Sequence, residues 1–227
     1  MRTDSFSYEK FSKVPIVGIV RGMSMEEVSQ ILPRFREAGL TTIEITMNTP
    51  NAEGIIDYAL SRYADTLNIG AGTVCNPDDL QKALRAGAQF IVTPIVEEQV
   101  ISTCVIKQIP IFPGAYTPTE IYKAWNLGAS LVKVFPATSL GTAYLKELKG
   151  PLGQIKLLPT GGINLVNCLE FLHTGAAGLG IGSQLFDKQM IVDRNWKGLL
   201  RHFEKFVKKI NAYHEMLKSE NKNQVQK

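Results

Sequence analysis

The chain has 227 residues, 44% apolar and 20% charged, which is ordinary for a globular protein and long enough to bury a sizeable core. The net charge of +4 does not mark a nucleic-acid binder: from Arg194 onward 9 Lys/Arg stand against 3 Asp/Glu, leaving 16 against 18 elsewhere, and no aromatic-interleaved basic motif accompanies the excess. No window reaches the roughly 18 apolar residues of a membrane span, and Met1 to Lys13 lacks the apolar core of a signal peptide, so a cytoplasmic protein with neither nucleic-acid nor membrane partner is expected.

Residues 5 to 12 read as a short leading helix whose Phe6 and Phe11 cover an open end of the core. Val14 to Val20 is a fully apolar run ending in Arg21-Gly22, a buried strand that delivers a cation at its carboxyl end. Ser24 and Glu27 have capping-box spacing ahead of an amphipathic helix through Glu37. From there one pattern recurs. Helices end at Gly39, Gly87, Gly128 and Gly175, each followed almost at once by an apolar strand. The spacings of 48, 41 and 47 residues fit about two strand-helix units each. Thr49-Pro50, Asn76-Pro77 and Thr117-Pro118 each put a capping side chain before a first-turn proline.

Strands are predicted over 14–20, 41–46, 67–71, 89–93, 108–112, 130–135, 155–159 and 177–181. Eight strands alternating with helices imply an α/β fold, a parallel (β/α)8 TIM barrel forming one domain over 1–227, with 213–227 the end of a terminal helix and a polar tail. A doubly wound open sheet is the structural alternative. Its dinucleotide fingerprint is missing, because Gly178, Gly180 and Gly182 lack the required spacing.

Cys75, Cys104 and Cys168 are odd in number and far apart, and His173, His202 and His214 lack ligand spacing. Reduced thiols in small buried spaces, with no metal and no cofactor, are expected.

In a barrel, active residues belong at the carboxyl ends of the strands, and alternate strand residues point inward. Lys133 stands in the apolar run Leu131 to Phe135. An ordinary lysine titrates near about 10.4, but desolvation disfavours its ammonium, and the neutral amine is the nucleophile that forms Schiff bases with carbonyl substrates. The bland alternative is a lysine that snorkels or pairs with a structural carboxylate. Alternation puts Thr42, Glu44 and Thr46 on the face opposite Ile43 and Ile45, and groups Val17, Ile19 and Arg21 on one face of the first strand. One carboxylate, one amine and one guanidinium thus converge from three strands. Gly161-Gly162 after the seventh strand and Gly180 to Ser183 after the eighth occupy the loops where barrels often bind phosphate through backbone N–H groups. Gly70 to Thr73, after the third, offers a hydroxyl and open backbone to a carboxylate.

These residues resemble the class I aldolases that cleave 2-keto-3-deoxy-6-phosphogluconate (KDPG) or its galactonate epimer, and 4-hydroxy-2-oxoglutarate. The similarity covers the chain from Val14 to about Asp187, with the motifs Ile19-Val20-Arg21-Gly22, Ile43-Glu44-Ile45-Thr46, Gly70-Ala71-Gly72-Thr73-Val74, Ile91-Val92-Thr93-Pro94, Phe112-Pro113-Gly114, Lys133-Val134-Phe135-Pro136-Ala137 and Pro159-Thr160-Gly161-Gly162. The resemblance implies that Lys133 is the Schiff-base lysine and Glu44 the proton-transfer carboxylate. It further implies that Arg21 and Thr73 hold the keto-acid end, Pro94 and Phe135 line the pocket, and Gly161, Gly162 and Ser183 hold phosphate. The implied partner is a phosphorylated keto acid, and the implied assembly a homotrimer. Asn48 stands where the well-studied KDPG enzymes have arginine, as in a branch that includes galactonate-type enzymes. Other readings are a different phosphate-binding barrel enzyme, such as a sugar-phosphate isomerase or a thiamine-phosphate-type synthase, and a non-catalytic barrel that binds phospho-acids.

Overall fold

The computed structural model describes residues 5–225, with side chains described through Glu220. Met1 to Asp4 and the last two residues of the tail lie outside the described residues.

Among the described residues nine short strands are all parallel to their neighbours: β1 (Ile16–Val20), β2 (Thr42–Thr46), β3 (Asn68–Gly72), β4 (Ile91–Val92), β5 (Ile111–Phe112), β6 (Gly114–Ala115), β7 (Val132–Val134), β8 (Leu157–Pro159) and β9 (Leu179–Ile181). One sheet runs β5-β4-β3-β2-β1-β9 and the other β6-β7-β8. Two links close the ring. The predicted fifth strand, 108–112, narrows to β5, and Pro113, whose missing N–H interrupts the ladder, connects it to β6 beyond the predicted span, while a bridge between Thr160 and Gly180 joins the end of β8 to β9. The barrel expected from the strand count is therefore what the chain forms, with most runs shorter than predicted and β3 keeping its 5 residues shifted by one position.

The helices follow their local signals with one exception. In α2 (Met25–Glu37) the Ser24/Glu27 capping box is present, and Val28, Ile31, Leu32 and Phe35 make a buried stripe at helical spacing. Asn76 caps α4 (Pro77–Arg85), and a Thr117/Glu120 box opens α6 (Pro118–Asn126). The helix-ending glycines at 39, 87, 128 and 175 all have positive φ, the left-handed turn that sends the chain straight into a strand. Thr49 is the exception. The helix α3 (Ala52–Tyr63) starts two residues after Pro50, behind Asn51 at φ 58, without any side-chain cap. Thr49 turns its hydroxyl elsewhere, as described below.

The barrel interior is layered. Its amino-terminal end is filled by Val17, Phe90, Val92, Phe112, Leu131 and Leu158, and closed by Phe6 and Phe11. Phe11 is carried by the leading helix α1 (Tyr8–Lys13). The rings of Phe6 and Phe90 lie 5.3 Å apart, and those of Phe6 and Phe112 5.8 Å. Gly70 makes the space for Phe90, since a Cβ there would collide with its ring. Further toward the carboxyl ends the same strand faces turn polar, at Glu44, Lys133 and Thr160. The long α10 (Trp196–Val225) packs along α2, α8 (Cys168–His173) and α9 (Lys188–Val192). It remains helical to Val225, within the segment expected to end in a polar tail. No helix among the described residues is long and apolar enough to cross a membrane.

Candidate active site

Lys133 sits at the centre of β7, between Gly114 of β6 and Leu158 of β8 in the strand register, and is 4% exposed. Below it lies the phenylalanine plug, so its amine has little water to stabilise a charge. Burial holds its pKa below the ordinary lysine value, partly opposed by Glu44 and reinforced by the guanidinium of Arg21. Its Nζ lies 5.1 Å from the centroid of the Phe135 ring.

Glu44 comes from the inward face of β2 and is 1% exposed. Its pKa is raised, first by burial, against the opposing pull of Lys133 and Arg21. No ion pair within 4 Å joins it to Lys133 among the described residues, and Oε1 has no hydrogen-bond partner. A buried carboxylate oxygen with an open acceptor position is costly for a structural residue. The interior face of Gly72 makes room for this carboxyl group, which a Cβ would overlap.

Arg21 follows β1 and is exposed, yet its Nη2 donates to Thr73 Oγ1 at 3.3 Å. Thr73 itself adopts φ 56, an uncommon conformation for a β-branched residue. The sequence-predicted pair of carboxylate-end residues is thus brought together by a direct bond. Pro94 is half-buried and its backbone lies against Gly114, the strand neighbour of Lys133. Thr93, buried, accepts the Gly114 N–H at 3.3 Å and donates to the Ile95 carbonyl. These contacts lock the loop that carries Pro94.

A cavity of about 560 Å3 opens beside this group. Of the sequence-predicted site residues, Arg21, Phe135, Gly161, Gly162 and Ser183 line it, whereas Lys133, Glu44, Thr73 and Pro94 do not. Gly161 and Gly162 have φ of 102° and 70°, conformations that L side chains rarely adopt. The Gly162 carbonyl accepts from Asn167 Nδ2 at 3.1 Å, and the Gly162 and Ser183 amides donate to no protein acceptor among the described residues. Unsatisfied backbone donors around a concave space are the usual material of an oxyanion site.

Sequence reasoning missed two contributors. Lys188 lines the cavity. It stands in the first turn of α9, capped by Asp187 accepting from Met190 N at 2.8 Å. The available signal was a cation at a helix start, where the backbone dipole disfavours it. Cys75, only partly buried, lies close enough to Lys133 for its thiol to be drawn down by the amine while burial pushes it up. The expectation of small buried thiols holds for Cys104, pushed up to about 12 by burial, and for Cys168.

The arrangement joins a desolvated amine, an isolated buried acid and a cationic corner to a cavity rimmed by free amides. Such a set can form an imine with a keto acid, move a proton at a neighbouring carbon, and hold a remote anion.

Comparison with known proteins gives a consistent result. The sequence model of a family described as "Aldolase: KDPG and KHG aldolase" matches residues 8–201. The chain is 34% identical over 184 residues to the 2-dehydro-3-deoxy-6-phosphogalactonate aldolase of Escherichia coli (strain K12), covering 81% of this chain and 90% of the relative. It is 36% identical over 189 residues to the 2-dehydro-3-deoxy-phosphogluconate aldolase of Treponema pallidum (strain Nichols), covering 81% and 88%. The solved KDPG aldolase of Legionella pneumophila, captured with pyruvate as a covalent carbinolamine, superposes with a TM-score of 0.80 at 27% identity, covering 86% of this chain and 95% of that one.

Proposed function

This chain belongs to the KDPG and KHG aldolase family and is a class I aldolase, an aldehyde-lyase; from that premise we propose that Lys133 is its Schiff-base lysine and Glu44 its proton-transfer group. The observation that carries the assignment is a buried, unpaired amine sharing the mouth of the barrel with a buried carboxylate whose Oε1 has no partner. Neutral Lys133 attacks the C2 ketone of the substrate, and loss of water gives an iminium. Glu44 takes the C4 hydroxyl proton, the C3–C4 bond breaks, and its electrons pass into the iminium as the aldehyde departs. The proton on Glu44 then returns to C3 of the enamine, and hydrolysis frees pyruvate and the amine.

The keto-acid carboxylate is received by Arg21 and Thr73, whose mutual bond preorganises the corner. Pro94 and Phe135 form the walls beside the amine. Gly161, Gly162 and Ser183 hold a terminal phosphate, and Lys188 adds the charge that a dianion demands. Glu27 also lines the cavity, and Ser24 N and Oγ both donate to its Oε2 at 2.7 and 2.9 Å.

The proposed substrate is a 2-keto-3-deoxy-6-phospho sugar acid, released as pyruvate and glyceraldehyde 3-phosphate, with 4-hydroxy-2-oxoglutarate as a shorter alternative giving glyoxylate. Asn48 at the carboxyl end of β2, in place of arginine, favours the galactonate epimer over the gluconate. Pyruvate release from the two epimers, assayed side by side, tests this: the galactonate form is expected to be cleaved faster, and a preference for the gluconate form overturns the epimer assignment. A single-domain, cytoplasmic homotrimer completes the proposal.

A further inference from the structure

We propose that Thr49 is a positioning residue of this active site, holding Arg21 in place through the backbone of Gly22. The inference rests on the Schiff-base reading above.

Thr49 looks in the sequence like a helix cap, yet its side chain caps no helix amide. It is 4% exposed, lies ahead of the first turn of α3, and directs its hydroxyl across the barrel mouth. Thr49 Oγ1 accepts the Gly22 N–H at 2.9 Å and shares a 2.9 Å hydrogen bond with the Thr46 hydroxyl. Thr46 is fully buried and stands two residues beyond Glu44 on the same face of β2. The Thr49 amide also donates to the Thr46 carbonyl at 2.8 Å, so the hydroxyl is fixed from both directions.

Gly22 turns the chain at φ 66 directly after Arg21. The Arg21 side chain is exposed, so packing does not hold it; the course of its backbone decides where the guanidinium arrives. It arrives on Thr73 Oγ1. A continuous chain of contacts, Thr46 to Thr49 to Gly22 to Arg21 to Thr73, therefore ties together the loops that follow β2, β1 and β3. The Arg21 charge also pulls the pKa of Lys133 and of Glu44 downward, less strongly than burial acts on each. Loss of the Thr49 hydroxyl leaves the Gly22 N–H without its partner and releases the root of Arg21. The keto-acid carboxylate then meets a guanidinium that must be ordered on binding.

The test measures borohydride trapping of pyruvate on the full chain across pyruvate concentrations, separating half-saturation from maximal rate. The Thr49→Val protein is expected to need about tenfold more pyruvate for half-saturation, the worth of one such hydrogen bond, while its maximal rate stays within about twofold. Thr49→Ser should restore the wild-type value. In the Arg21→Ala background, Thr49→Val should add nothing further, because both changes remove one device. Unchanged half-saturation in Thr49→Val, failure of serine to rescue, or penalties that multiply in the double variant would each overturn the proposal. If valine prevents folding, Thr49→Ala carries the same expectations. A wild-type protein that forms no adduct defeats the Schiff-base reading instead, so the two failures are distinguishable.

Discussion

Replacing Glu44 with glutamine separates the two chemical jobs assigned to the barrel mouth. The side chain is 1% exposed and its Oε1 has no partner, so an isosteric neutral amide leaves the packing intact and removes a buried charge. Because burial raises the Glu44 pKa, ionisation costs the folded state once the pH rises above the ordinary glutamate range. The variant should therefore unfold at a temperature no lower than wild type near neutral pH. General acid–base catalysis contributes roughly 10²–10⁴ in rate, equivalent to about 2.7–5.5 kcal/mol of barrier at 1.36 kcal/mol per decade, and carbon–carbon cleavage should fall by that factor. Imine formation depends on a different property. Glu44 raises the Lys133 pKa, so its removal lowers that pKa further, and the acid limb of borohydride trapping with pyruvate should move to lower pH. The two assays are pyruvate release from substrate and the final extent of trapped adduct. Undiminished cleavage, or a trapping limb displaced to higher pH, would refute the role given to Glu44.

Two more expectations concern the rest of the barrel. Lys188→Gln should raise KM for a phosphorylated substrate about tenfold, as for one charge-assisted contact, and leave 4-hydroxy-2-oxoglutarate cleavage unchanged; steady-state kinetics on both substrates decides it. Phe112→Ala opens a void in the fully buried amino-terminal plug and should cost about 3–5 kcal/mol of stability, read as a lower denaturant midpoint.

Much of the site was legible because strand alternation is a strict rule. Glu44 stands opposite two isoleucines and Lys133 sits within an apolar run; the fold buries both, as the pattern required. The glycine loops were legible for a related reason, since Gly161 and Gly162 adopt backbone angles that their sequence made available. What escaped was set by long-range contact. Thr49-Pro50 carries a local capping signal, but the hydroxyl is satisfied by Gly22, 27 residues away, and no local rule anticipates that. The Arg21–Thr73 bond spans 52 residues through a flexible side chain. Lys188 carried only the weak signal of a cation at a helix start, and that it borders the cavity follows from the folded chain. The Pro113 break and the continuation of α10 to Val225 show the same limit at element ends, which the pattern of apolar residues fixes only loosely.

The most direct test of the mechanism is peptide mapping of the full chain after reduction with borohydride in the presence of pyruvate. The prediction is a single added reduced pyruvate on the side chain of Lys133, absent from the Lys133→Ala protein. A modification mapping to any other lysine, or an adduct that survives that substitution, would contradict it.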